Sequence, residues 1–162
     1  MSNHFPQSTN PNDPAQGVID LCHIRFLVVD DQRSVCALIV GILKNGGAKQ
    51  TVSVHDGRDA FTLLKKTYDA VHNHDLHLGT PFNFIICDYN MPELNGIELL
   101  EKIRTSDEFR DLPFLMVTAE SHREFVENAI HKGVDGFLIK PFTAKSFTDK
   151  IHEILSKKQL LK

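Results

Sequence analysis

Five short apolar runs recur along the chain, and each is followed by a stretch whose apolar residues return at helical spacing. Ile24–Val29 is nearly continuous, the pattern of a strand buried on both faces. Val35, Leu38, Ile39, Ile42 and Leu43 then fall on one helical stripe, which Gly46-Gly47 stops. Thr51–His55 is the second strand, followed by a helix with Ala60, Leu63, Leu64, Thr67, Tyr68 and Val71 on one face. Phe82–Cys87 is the third, and Asn95-x-x-Glu98 caps a helix through Ile97, Leu100 and Ile103. Pro113–Thr118 is the fourth, and Ser121-x-x-Glu124 reads as a capping box for a helix ending near Gly133. Gly136–Lys140 is the fifth strand, and Phe147, Ile151, Ile154 and Leu155 mark the last helix.

Strict alternation constrains the fold strongly. Parallel strands need long crossovers, and right-handed crossovers place helices on both sheet faces. The expectation is a five-stranded parallel doubly wound α/β sheet of the flavodoxin-like order 2-1-3-4-5, with five helices. At 162 residues the chain is one domain with something left over. Residues 1–20 are polar and rich in Pro and Asn, and read as a disordered tail. The domain is expected over 21–162, with an extended link between helix 2 and strand 3 at 69–82. A net charge of −3 offers no basic face for nucleic acid or anionic lipid, and no apolar run is long enough to span a membrane. Cys22, Cys36 and Cys87 form no CxxC pair, which points to reduced thiols and a cytoplasmic setting.

Ligands of open α/β sheets bind at the carboxyl ends of the strands. Strand 1 ends in Asp30-Asp31, strand 3 in Asp88, strand 4 in Thr118 and strand 5 in Lys140-Pro141. One polar residue there could simply open a loop, but four at one edge form a set. Converging carboxylates repel each other and call for a cation, and hard oxygen donors suit Mg²⁺. An aspartate beside such a metal can act as a nucleophile towards phosphorus. A lysine and a hydroxyl would complete the cradle for a transferring phosphoryl group. From the chemistry alone the reading is Mg²⁺-dependent phosphoryl transfer to Asp88.

Four stretches carry a resemblance: Phe-Leu-Val-Val-Asp-Asp at 26–31, Cys-Asp-Tyr-Asn-Met-Pro at 87–92, Met-Val-Thr-Ala-Glu at 116–120 and Phe-Leu-Ile-Lys-Pro-Phe at 137–142. Together they resemble the receiver domain of bacterial response regulators over about residues 22–158, and within it the single-domain chemotaxis (CheY-like) regulators. The resemblance implies that Asp88 is the phosphoacceptor. It implies that Asp31, Asp88 and the backbone carbonyl of Asn90 ligate Mg²⁺ with help from Asp30. Thr118 would be the switch hydroxyl, Lys140 the phosphate lysine and Phe137 the aromatic switch. Asn90 and Glu120 stand where the family tunes autodephosphorylation, and a cis Lys140–Pro141 bond is implied too.

A signalling protein rather than an enzyme in the ordinary sense is expected. The implied partners are a sensor histidine kinase or histidine phosphotransfer protein and a downstream protein target, which for chemotaxis regulators is the flagellar motor switch. A monomer is favoured. Phe137 has no hydroxyl, where chemotaxis regulators usually carry Tyr, so a simple core Phe is an even alternative. His72, His74 and His77 could hold a transition metal, but a solvated helix extension is the better reading. Cys87 reads as a small core residue. Two alternatives stay open: a receiver acting mainly as a scaffold through the extended helix 2 segment, and a phosphatase, against which Asn90 stands where such enzymes place a second aspartate.

Overall fold

The computed structural model describes residues 20–158, apart from 76 and 78, so the tail expected over 1–20 lies almost wholly outside the described residues. A 3-10 turn, Leu21–His23, leads into strand β1 (Arg25–Val29). Helix α1 (Arg33–Asn45), β2 (Gln50–Val54), α2 (Gly57–His72), β3 (Phe84–Cys87) and α3 (Gly96–Arg104) follow. The chain continues through β4 (Phe114–Thr118), α4 (Arg123–His131), β5 (Gly136–Ile139) and α5 (Ala144–Lys157). All strands are parallel and the sheet order is β2-β1-β3-β4-β5, as the alternation predicts.

Side chains of β1 alternate between two cores, because successive Cβ atoms point to opposite faces. Phe26 and Val28 join α1 and α5 through Ile39, Leu43, Phe147 and Ile151. Leu27 and Val29 join α2, α3 and α4 through Leu64, Leu100 and Ala129. The continuous apolar character of β1, β3 and β4 follows from this two-sided burial.

Local signals set most helix starts. Asn95 and Glu98 form the reciprocal capping box expected for α3, and Asp56 and Thr143 cap α2 and α5. The box expected at Ser121 does not form: His122 is the N-cap of α4 and makes no side-chain cap bond. The Glu120 carboxylate accepts the His122 amide at 3.2 Å, and the helix starts one residue late.

Helix α2 extends to His72, and the chain turns back through His74 at φ 59°. Arg25 anchors the return segment. Its guanidinium donates to the Thr80 carbonyl and lies 4.2 Å over the Phe82 ring, while Asn83 Oδ1 accepts the Arg25 amide at 2.6 Å. Among the described residues no helix is long and apolar enough to cross a membrane.

Candidate functional site

The parallel register delivers the predicted residues to one edge. The Asp88 amide donates to the Val29 carbonyl at 2.9 Å and the Lys140 amide to the Thr118 carbonyl at 2.8 Å, so the ends of β1, β3, β4 and β5 are held together. Asp30, Asp31 and Asp88 bring one carboxylate oxygen each within 4.8 Å of one another. Asp30 and Asp88 are buried and Asp31 is exposed. Lys140 reaches in from the far side, 2.9 Å from Asp30 Oδ2 and 3.5 Å from Asp88 Oδ1. Its shorter bond is thus to Asp30, and it holds both carboxylates at once. The Lys140–Pro141 peptide is cis.

Asp30 is fixed from every side. Its Oδ1 accepts the Gln32 amide at 2.9 Å, and its carbonyl takes the Cys36 thiol at 3.3 Å and lies 3.0 Å from His55 Nδ1. The strand-end rule applied to β2 would have pointed to His55, since it directly follows Val54; nothing in the sequence marks Cys36 as its neighbour. Asn90 is exposed in the β3–α3 loop. Thr118 is fully buried, and its Oγ1 accepts the Glu120 amide at 3.2 Å. Phe137 is half-buried against the core beneath α2, α3 and α4. Cys87 is fully buried, as a core residue. His72 stacks on Tyr68 at 4.0 Å, and the histidines of that segment do not converge on a metal-ligand geometry among the described residues.

Burial pushes the Asp88 carboxyl above its ordinary value; Lys140 draws it down, Asp30 pushes it up, and the Tyr89 amide and Thr118 hydroxyl draw it down again. The net direction says that the ionised carboxylate is uncomfortable without a further cation. Three hard oxygen donors with one lysine between them are a donor set that fits Mg²⁺.

An acid whose folded pKa is raised contributes stability below its unfolded value of 3.8, and that contribution is lost as pH rises through the folded value. In chelator at neutral pH, Asp88→Asn should therefore unfold at higher denaturant than wild type, and the gap should close on acidification. Added Mg²⁺ should stabilise wild type more than the variant. A variant less stable than wild type in chelator at neutral pH would contradict this account of the site.

A doubly wound parallel sheet that gathers acidic side chains, a lysine and a buried hydroxyl at its carboxyl edge defines the receiver class of signalling domain. The chain belongs to the response regulator receiver domain family, whose model matches residues 26–152. Chemotaxis protein CheY-3 of Vibrio cholerae is 34% identical over 135 residues, spanning 83% of this chain and 94% of that protein. Chemotaxis protein CheY of Pseudomonas aeruginosa is 34% identical over 134 residues, with 83% and 98% covered. The crystal structure of Vibrio cholerae CheY4 superposes with a TM-score of 0.69 at 26% identity, covering 82% of this chain and 98% of that one. The receiver domain of the Arabidopsis thaliana histidine kinase CKI1, complexed with Mg²⁺ and BeF3−, gives 0.71 at 27% identity, with 84% and 92% covered. The chain is therefore a receiver domain of the CheY-like kind.

Proposed function

We propose that this receiver accepts a phosphoryl group on Asp88 in a two-component pathway, with chemotaxis as its setting, and signals through a protein contact that the modification alters. The observation that supports this most is the meeting of the buried Asp88 with Lys140 at 3.5 Å inside a three-carboxylate cluster. Asp30, Asp31 and Asp88 would hold Mg²⁺, with the Asn90 backbone carbonyl as a further donor. Bound there, the ion supplies positive charge against the phosphoryl oxygens. An Asp88 oxygen attacks phosphorus, a P–O bond forms, and the donor's bond to phosphorus breaks with its electron pair leaving on the donor. Lys140 balances charge on the phosphoryl oxygens, and the Thr118 hydroxyl is placed to donate to one of them. The donor class is a phosphohistidine on a kinase or phosphotransfer protein, or a small acyl phosphate. Switching at Phe137 must work through packing, because that residue has no hydroxyl. The solved relative bound to Mg²⁺ and BeF3− lends support by likeness.

Incubation with acetyl phosphate and Mg²⁺ should add one phosphoryl group by intact mass, and Asp88→Asn should take none. No adduct in wild type, or an equal one in the variant, would overturn the assignment.

A further inference from the structure

The amino edge of the sheet carries a donor set of a different kind from the acidic edge. Asp20, Cys22 and His23 lie at the 3-10 turn before β1, and each offers one ligand atom within 4.8 Å of the other two. The turn itself brings them together. Leu21 and Ile24 are buried in the core, and the Ile24 amide returns to the Leu21 carbonyl at 3.1 Å. The three residues left over stand on the solvent side, Asp20 and His23 exposed and Cys22 half-buried. Asn83 braces the end of the turn, its Nδ2 donating to the His23 carbonyl at 3.5 Å.

One oxygen of Asp20 has a structural duty. Oδ1 accepts the Cys22 amide at 2.9 Å and caps the turn. The other oxygen, Oδ2, accepts from the Cys22 thiol at 2.9 Å. A proton held between sulfur and oxygen is the one a divalent cation displaces when a thiol becomes a ligand. Capping needs nothing from His23, yet an imidazole nitrogen completes the triangle. Zinc held tetrahedrally by sulfur, nitrogen and oxygen needs ligand atoms roughly 3.5 Å apart. Donors 2.9 Å apart on one side and within 4.8 Å on the others reach that by small side-chain rotations.

We propose that Asp20, Cys22 and His23 form a Zn²⁺ site, bound through a carboxylate oxygen, the Cys22 thiolate and one imidazole nitrogen, with water in the fourth position. Binding releases the Cys22 proton to solvent and changes no oxidation state. Ligand softness separates this site from the other edge. Thiolate and imidazole select Zn²⁺ over Mg²⁺, whereas Asp30, Asp31 and Asp88 offer only hard oxygens. The inference stands apart from the reading of Asp88 as phosphoacceptor, since the two sites lie at opposite ends of β1.

The test is titration of the full chain with Co²⁺, which takes the same tetrahedral ligands and gives a near-ultraviolet charge-transfer band when one of them is a thiolate. A phosphine keeps the thiols reduced, and excess Mg²⁺ competes for the acidic edge. The band should grow to one equivalent of Co²⁺ and be bleached by one equivalent of Zn²⁺. Cys22→Ser should abolish it. Cys36→Ser should keep it, because that thiol is buried at the other edge and bonded to the Asp30 carbonyl. Asp20→Asn, which preserves the cap, and His23→Ala should each weaken Zn²⁺ binding on the order of 10²-fold, since loss of even a group behind a ligand costs ~10–100-fold. No band in wild type, a band that survives Cys22→Ser, or undiminished affinity in His23→Ala overturns the proposal. Acetyl phosphate labelling of Cys22→Ser should match wild type, so failure of the zinc site leaves the Asp88 reading standing, and absence of labelling leaves the zinc site standing.

Discussion

Replacing Arg104 by alanine is expected to cost about 3 kcal/mol of folding free energy and to lower the melting temperature by roughly 6–12 °C. The guanidinium sits at the amino edge of the sheet, opposite the acidic site, and its donors close the turns there. Its Nε donates to the Gly133 carbonyl at 2.9 Å, and one terminal nitrogen donates to the Leu112 and Arg110 carbonyls at 2.8 and 3.1 Å. The other meets Asp135 Oδ2 at 2.8 Å, an oxygen that also accepts the Phe114 amide at the start of β4. Alanine leaves three carbonyls and part of a carboxylate without donors, in a place where water reaches only partly: the two side chains are 16% and 17% exposed. Loss of one partner from a buried pair costs about 3–5 kcal/mol, and the partial exposure puts this case at the lower end.

Lysine is no substitute, because its single point charge cannot serve three directions of the fork. Arg104→Lys should keep only a minor part of the stability. An Asn amide oxygen can still accept from the Arg104 guanidinium and the Phe114 amide, so Asp135→Asn should cost less than Arg104→Ala, and a double-mutant cycle should show coupling between them. Phe114, at the clamp, and Thr118 stand at opposite ends of β4, four residues apart and about 13 Å at strand rise. Acetyl phosphate labelling of the folded Arg104→Ala protein should therefore match wild type. Chemical denaturation is the measurement; a loss within about 0.5 kcal/mol, the size of an ordinary surface change, would show that the clamp carries no weight.

The contrast between Arg104 and Asp88 marks what can be read from a sequence of this kind. Asp30, Asp31, Asp88, Thr118 and Lys140 each follow an apolar run, and parallel pairing in register must bring such positions to one edge. Arg104 ends α3 and Asp135 lies in the turn before β5, at the other edge, where loop paths rather than strand register decide who meets whom. Nothing in the spacing of 104 and 135 records that meeting. The same holds for Glu120 and His122: the hydroxyl–x–x–Glu pattern at Ser121 signals a helix start, but the Glu120 carboxylate accepts the His122 amide and the helix begins at Arg123. Helix 2 shows the opposite case. Its apolar stripe runs to Val71 and the helix ends at His72, whereas the anchoring of the return segment by Arg25 depends on a side chain from another strand.

Gly96→Ala should be the most damaging small substitution near the site, because its effect reaches Asp88 through the backbone. Gly96 is the first residue of α3, and its amide donates to the Tyr89 carbonyl at 2.9 Å. A Cβ added there would lie 2.3 Å from the Asp88 carbonyl oxygen and 3.0 Å from the Tyr89 Cα. Those atoms cannot swing aside as a side-chain tip would, so α3 and the 88–90 segment must part. The expected cost is about 2–3 kcal/mol in stability, with overpacking as the cause. If Asp88 is the phosphoacceptor proposed above, labelling by acetyl phosphate should fall on the order of 10²-fold, since displacing a reacting group by about an ångström has that effect. Gly57 presses on the same loop from α2, where a Cβ would lie 2.6 Å from the Leu94 carbonyl oxygen, so the segment between β3 and α3 is held between two helix starts with no room for a methyl group at either. Gly47 provides the control. Its φ of +97° makes alanine strained, but no other atom lies within 4 Å of the Cβ position, so Gly47→Ala should cost about 1 kcal/mol and leave labelling intact. If Gly96→Ala labels at the wild-type rate, the β3–α3 loop is not the element that positions Asp88, and the burden of holding that carboxylate falls on β3 and Lys140 alone.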